Sequence, residues 1–163
     1  MTKIKVNDNF PESDVFRLID GEPIKIKISD LLSKKKIILF GLPGAFSSVC
    51  SAKHLPSYIK NFEKFKSLGV DKLMCVSVND PFVMEAWGKA NNVGDKIIMI
   101  ADPFLELTKK LGTEIDKSNR GLGMRSNRFA MIIEDMTVKA FKQEKDTKFC
   151  EVSAAESVIE LLT

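Results

Sequence analysis

The segment LPGAFSSVC (42–50) sets a cysteine where an apolar run gives way to a helical pattern, with two serines just before it. Cys50 falls beyond the carboxyl end of the run KIILFGL (36–42) and in the first turn of the helix predicted after it. In open α/β sheets that end is where ligands bind. Helix N-terminal amides favour an anion there, so the chemistry expected of Cys50 is that of a thiolate nucleophile. A helix start supplies only about 1 kcal/mol, so a cation and hydrogen-bond donors are needed as well. Ser47, three residues upstream, puts a hydroxyl within reach of the sulfur or of a bound oxygen, and Pro43 can wall off one side of a pocket. The segment GMRSNRF offers Arg125 and Arg128 as the cation. Arg128 directly precedes a buried strand, which fixes its position better than a loop does, and its guanidinium is charged at any relevant pH.

Other chemistries compete for these residues. The chain has three cysteines (Cys50, Cys75, Cys150) and one histidine, His54. Together they match a zinc ligand count, but no paired spacing supports such a site. An odd number of cysteines without close pairs is no secreted disulfide scaffold, and no C-x-x-C dithiol is present. His54, four residues after Cys50, could act as a general base in a cysteine hydrolase, yet no residue stands out to orient it. GLG (121–123) lacks the following helix that a phosphate cradle requires. The plainest reading of Cys50 is a small apolar residue.

The elements that must position these groups follow from periodicity. PIKIKIS (23–29) alternates as a half-buried strand does, and 36–42 reads as a strand covered on both faces. Residues 49–68 form a helix bent by Pro56 and stopped at Gly69. DKLMCVSVND (71–80) is the next strand, and Asp80 caps a helix from Pro81 to about Asn91. KIIMIA (96–101) is a third core strand. Asp102-Pro103 repeat the signal for a helix to Lys110, closed by Gly112. A polar loop follows, then a hairpin of 128–135 and 137–144 turning at Asp135-Met136. Ser153, with Glu156 as a capping box, opens a last helix. The order predicts an α/β fold, a sheet with helices on both faces and one antiparallel hairpin at its edge, in a single domain over 1–163.

Composition narrows the function classes. Hydrophobic residues make up 44% and charged residues 29% of 163, and the net charge is only +3 with lysines spread along the chain. No concentrated basic face implies nucleic acid, no apolar run is long enough for a membrane span, and MTKIKVNDNF reads as neither secretory signal nor transit peptide. The expected location is the cytoplasm, or an organelle if a targeting segment has already been removed.

P-x-x-x-[ST]-x-x-C, met by Pro43, Ser47 and Cys50, resembles the peroxiredoxin active-site signature. The longer GLPGAFSSVCSAKHLP, with CVSVNDPFVMEAW (75–87), ADP (101–103) and GLGMRSNRFAMIIED (121–135), is similar to the atypical type II subfamily, that of the plant type II and mammalian type V enzymes. Ser47 and Ser48 stand where Thr and Pro are usual. The resemblance implies a thioredoxin-like fold with a central mixed sheet flanked by helices, and a peroxidatic Cys50 that reduces hydroperoxides through a sulfenic acid. It assigns the catalytic arginine to Arg128, peroxide binding to Ser47 and the Cys50 amide, and no cofactor or metal. Cys75 matches the second cysteine of the plant enzymes, while Cys150 lies near, but out of register with, the C-terminal resolving cysteine of the mammalian form. The plant-type likeness points to glutathione or glutaredoxin as reductant, with thioredoxin the other candidate, and the family implies a homodimer whose contacts would include Phe46 and Phe82. The competing class is a peroxide-sensing thiol relay that passes oxidation to a partner.

Overall fold

Buried apolar runs pair first with one another, because only the middle of a sheet covers both of their faces. The computed structural model describes residues 3–163. Strands β3 (Lys36–Gly41), β4 (Lys72–Ser77) and β5 (Ile97–Ala101) form a parallel centre, and β8 (Phe129–Glu134) runs antiparallel beside β3. β1 (Asp14–Ile19) and β2 (Glu22–Lys27) extend one edge and β9 (Thr137–Gln143) the other, in the order β2-β1-β5-β4-β3-β8-β9. The strands alternate between two cores. Ile38, Phe40, Cys75, Ala130 and Ile132 face a cluster with Cys50, Leu55, Tyr58, Trp87 and Val158. Ile37, Leu39, Met74, Met131 and Ile133 face the opposite cluster with Ile28, Leu32, Leu107 and Leu111. Thus the expected mixed sheet flanked by helices is found.

Its edges differ from expectation, since both carry antiparallel hairpins. β1 lies in a stretch without clear alternation, and its tight turn at Asp20-Gly21 has both residues at positive φ (51° and 82°), the geometry that matches strand twist. The hairpin β8–β9 turns at Asp135-Met136, as read, again with both at positive φ (46° and 67°). The strand expected over 23–29 ends at Lys27. Ile28 and Leu32, one helical turn apart, are both buried by a short helix α1 (Ile28–Leu32).

Helices also depart from the reading in detail. The single bent helix over 49–68 is three pieces: a π-helical turn (Cys50–His54), α2 (Leu55–Lys60) and α3 (Phe62–Ser67), broken at Asn61. The widened turn lies immediately before Pro56, whose ring does not fit against a regular preceding turn. Asp80 caps α4 (Pro81–Ala90) through Val83 N–H at 2.9 Å, as expected. Asp102 also caps, but over a longer reach. Its carboxylate accepts from Leu107 and Thr108 N–H (3.2 and 2.8 Å), so α5 (Glu106–Leu111) starts at Glu106 rather than Pro103. The polar loop after Gly112 contains a small hairpin, β6 (Glu114–Asp116) and β7 (Met124–Ser126), around a 3-10 turn (Ser118–Arg120). Ser153 does not cap α6 (Ala155–Leu162). Its hydroxyl donates to Glu144 at 2.6 Å, and Glu156 accepts from Asn61 instead of closing a capping box.

One register decides where the site forms. Antiparallel β8 pairs Phe129 with Gly41, so Arg128 emerges at the carboxyl end of β3, the end from which the chain runs on to Cys50. Gly41 is required there, because a Cβ would meet the Phe129 ring at 2.1 Å.

Candidate active site

Arg128 is 2% exposed and Cys50 is fully buried, and the guanidinium joins them, with Nη2 donating to Cys50 Sγ at 3.3 Å. The side chain shares the parity of Ala130 and Ile132, which places it on the Cys50 face of the sheet. Its remaining donors are spent on neutral acceptors. Nε and Nη2 donate to the Thr147 carbonyl at 3.2 and 3.0 Å, and Nη1 donates to His54 Nδ1 at 3.0 Å. Among the described residues the ion pairs are Lys89–Glu85 and Lys110–Glu106, so no carboxylate is in contact with Arg128. A buried guanidinium without a counterion favours a negative charge on whatever group can supply one. The Cys50 thiol is one of the groups in contact with it.

His54 holds the arginine rather than activating the cysteine. Its Nε2–H donates to the Ser153 carbonyl at 3.2 Å, which leaves Nδ1 as the acceptor for Arg128. Burial, and secondarily the Arg128 charge, push the imidazole down to about 3. It is therefore neutral at physiological pH and cannot compensate the guanidinium. The ring packs against Phe40 at 5.1 Å, and Phe40 stacks on Tyr58 at 3.9 Å. Tyr58 in turn donates its hydroxyl to the same Ser153 carbonyl at 2.7 Å.

The two carbonyls that fix this network, of Thr147 and Ser153, belong to the strap 145–153 between β9 and α6. Glu144, itself buried, ties that strap down. One carboxylate oxygen accepts from Glu151 N–H (2.8 Å), Ser153 N–H (2.8 Å) and the Ser153 hydroxyl (2.6 Å). Thr147, Ser153 and Glu144 were not among the site residues read from the sequence. The strap lacks periodicity, and backbone carbonyls leave no residue-type signal. A buried glutamate closing a strand was the one available hint.

Pro43 and Ser47 line a cavity of about 350 Å3 together with Val49, Arg128 and Thr147. The Ser47 hydroxyl donates to Gly44 O at 2.6 Å, so it does not donate to the sulfur, and its oxygen keeps lone pairs free. Arg125, the other candidate cation, braces the loop. It donates to Pro43 O at 3.2 Å and to Leu122 O at 2.9 Å. The two other cysteines are free thiols like Cys50. Cys75 is fully buried in β4 between Phe40 and Met99, and burial pushes its thiol well up. Cys150 is half-buried in the strap, and burial pushes it up to about 11. Neither forms a zinc cluster: among the described residues no group of three or more histidine, cysteine, aspartate or glutamate side chains is placed to hold a metal.

This chain and its fold match proteins of known class. The redoxin family model matches residues 5–159. Peroxiredoxin-2B of Arabidopsis thaliana is 40% identical over 163 residues, 99% of this chain and all of that protein. The structure of reduced Prx3 in complex with hydrogen peroxide from Vibrio vulnificus superposes with a TM-score of 0.93 at 39% identity, covering 98% of this chain and 99% of that one. Peroxiredoxin 5 from Alvinella pompejana gives 0.86 at 35% identity, with 98% and 97% covered. The chain belongs to the peroxiredoxins, the thiol-dependent peroxidases of the redoxin class. Relatives include the chloroplastic peroxiredoxin-2E of Arabidopsis thaliana, 39% identical over 98% of this chain and 69% of that protein, so family membership does not set the compartment. Among the described residues no helix is long and apolar enough to cross a membrane.

The buried neutral His54 makes stability depend on pH. The unfolded chain binds its proton below about pH 6.5, whereas the folded chain does not until about pH 3. Stability is thus fully present above 6.5 and is lost as pH falls towards 3, at up to about 1.4 kcal/mol per pH unit. Denaturant unfolding between pH 6.5 and 5, above most carboxylate titration, should show this slope in the natural chain. In His54→Gln the slope should be absent.

Proposed function

We propose that Cys50 is the peroxidatic nucleophile and that Arg128, Ser47 and Pro43 complete its site. The observation that carries this reading is the Arg128 contact with Cys50 Sγ at 3.3 Å, made by a buried cation that no carboxylate among the described residues pairs with. The thiolate attacks the terminal oxygen of a hydroperoxide reaching it from the cavity. The O–O bond breaks, the terminal OH becomes Cys50 sulfenic acid, and the leaving alkoxide or hydroxide takes a proton to become alcohol or water. Arg128 stabilises the thiolate before attack and the charge that moves onto the leaving oxygen. Ser47, its proton committed to Gly44 O, accepts the hydrogen bond of the peroxide O–H. The Cys50 amide donates to a peroxide oxygen, and the Pro43 ring keeps water from the sulfur.

The second half-reaction we assign to an external thiol, glutathione directly or through glutaredoxin. A resolving thiol must ionise to attack. Cys75 is sealed in a central strand, and a Cys150 held near 11 is ionised in only about one molecule in ten thousand at neutral pH. Thioredoxin, or resolution by either cysteine after local opening, is the competing route. Three free thiols suit a reducing compartment such as the cytoplasm. Phe46, on the loop beyond β3, and Phe82, in the first turn of α4, are 58% and 56% exposed and form the apolar patch through which we expect two copies to pair.

Cys50→Ser should abolish even single-turnover consumption of hydrogen peroxide. Removing one hydrogen bond to a charged group costs about 1.5–3 kcal/mol, so Arg128→Met should slow that turnover by roughly ten- to a hundredfold. Arg125→Met, which loosens the Pro43 carbonyl without touching sulfur, should slow it less; the opposite ranking would move the cation to Arg125. Cys75→Ser and Cys150→Ser should each keep most glutathione- or glutaredoxin-supported turnover. Loss of turnover with an intact first peroxide reduction would identify that residue as the resolving cysteine. Sedimentation of the reduced protein at micromolar concentration should give a dimer, and Phe46→Asp with Phe82→Asp a monomer.

A further inference from the structure

The cavity above Arg128 has a cationic mouth. Lys117 and Arg120 come from the β6–β7 turn and Lys148 from the strap, and all three line the cavity with Arg128. Asp146 is the one carboxylate in that lining. Four cations against one carboxylate leave a formal +3, equal to the net charge of the whole chain, which has 25 basic and 22 acidic residues. The lining therefore carries a local excess of positive charge.

Both segments are anchored, and among the described residues their cations make no ion pair, although the Lys148 ammonium lies over the Phe149 ring at 5.3 Å. In the turn, Lys117 N–H donates to Gly123 O (2.7 Å), while Arg120 and Leu122 N–H donate to Lys117 O (3.0 and 3.1 Å). Asp146 spends a carboxylate oxygen on the Lys148 amide at 3.0 Å rather than on an ammonium. Among the described residues neither ion pair involves Lys117, Arg120 or Lys148. A concave space of about 350 Å3 falls in the range of small-molecule sites, roughly 300–1,000 Å3. A hydroperoxide is far smaller than that space.

We propose that this mouth is the binding site for the reducing thiol, and that it selects a small thiol bearing carboxylates, of the glutathione kind. Its carboxylates rest on Lys117, Arg120 and Lys148 while its sulfur points towards Cys50. The inference rests on the peroxidatic assignment of Cys50. The thiol sulfur attacks the sulfenic Sγ, the S–O bond breaks, and hydroxide leaves with the thiol proton as water, giving a mixed disulfide. A second thiol molecule attacks the reductant's own sulfur in that bond, releasing its disulfide and returning Cys50 to the reduced state.

The test compares kcat/KM for an anionic thiol (glutathione), a neutral one (2-mercaptoethanol) and a cationic one (cysteamine) with hydrogen peroxide in excess. In the triple variant Lys117→Gln, Arg120→Gln, Lys148→Gln, the glutathione to 2-mercaptoethanol ratio should fall about three- to tenfold. The cysteamine to 2-mercaptoethanol ratio should rise. Salt should lower the glutathione ratio in the natural chain more than in the variant, because the Debye length shrinks from about 30 Å at 0.01 M to about 3 Å at 1 M. Lys139→Gln, at the far end of β9, should leave both ratios alone. Equal ratios in the natural chain and the triple variant would overturn the proposal. So would a variant impaired only with a protein dithiol such as glutaredoxin, which would make the mouth a protein-docking surface. If the reduced natural chain fails to consume peroxide in a single turnover, the peroxidatic reading itself is wrong.

Discussion

The site depends on one constraint, a guanidinium buried without a carboxylate partner. Desolvating a charge costs several kcal/mol unless its surroundings compensate. Around Arg128 the compensation comes from the Thr147 carbonyl, a neutral imidazole and a thiol. These acceptors direct the guanidinium without cancelling it. A glutamate in place of His54 would accept the Arg128 hydrogen bond but, as an acceptor only, could not donate to the Ser153 carbonyl, and its charge would cancel the guanidinium field. The lowered His54 is thus part of the design, because a protonated imidazole would repel the arginine it holds.

That requirement reaches outward through the fold. The neutral acceptors must themselves be held, and they sit on a strap with no regular structure. Glu144 supplies the anchor by gathering two amides and a hydroxyl onto one oxygen. The carboxylate that could have quenched Arg128 is instead committed one step away. On the other side the stack His54–Phe40–Tyr58–Phe65 ties the network to the main core. The π-turn puts Cys50 and His54 into that core together, both buried, with its closing hydrogen bond from Leu55 N–H to Cys50 O.

Much of the sheet was legible because periodicity is a local property. The apolar runs of β3, β4, β5 and β8 read directly as buried strands, and the Asp80-Pro81 helix start and the Asp135-Met136 turn formed where their residue types indicated. β1, α1 and the β6–β7 hairpin were missed. They are short, half-exposed pieces whose state is set by neighbours rather than by pattern. The capping box at Ser153 failed for the same reason. Glu144 offered the serine a buried carboxylate, which outcompeted the local helix amide.

By itself, the amino-acid sequence determined the position of Cys50 after a central strand, the nearness of Ser47 and Pro43 along the chain, and the class of sheet. These follow from residue type and short spacing. The sequence favoured Arg128 over Arg125, but only the tertiary structure set the geometry that brings it to the sulfur. Arg125 and Arg128 lie three residues apart, and the β3–β8 register with Phe129 over Gly41 sends one to Cys50 and the other to the Pro43 carbonyl. The same holds for His54, whose role was set by a carbonyl 99 residues away. Hydrogen bonds to distant backbone groups carry no local signature, so their partners emerge only when the sheet brings the two ends of the chain together.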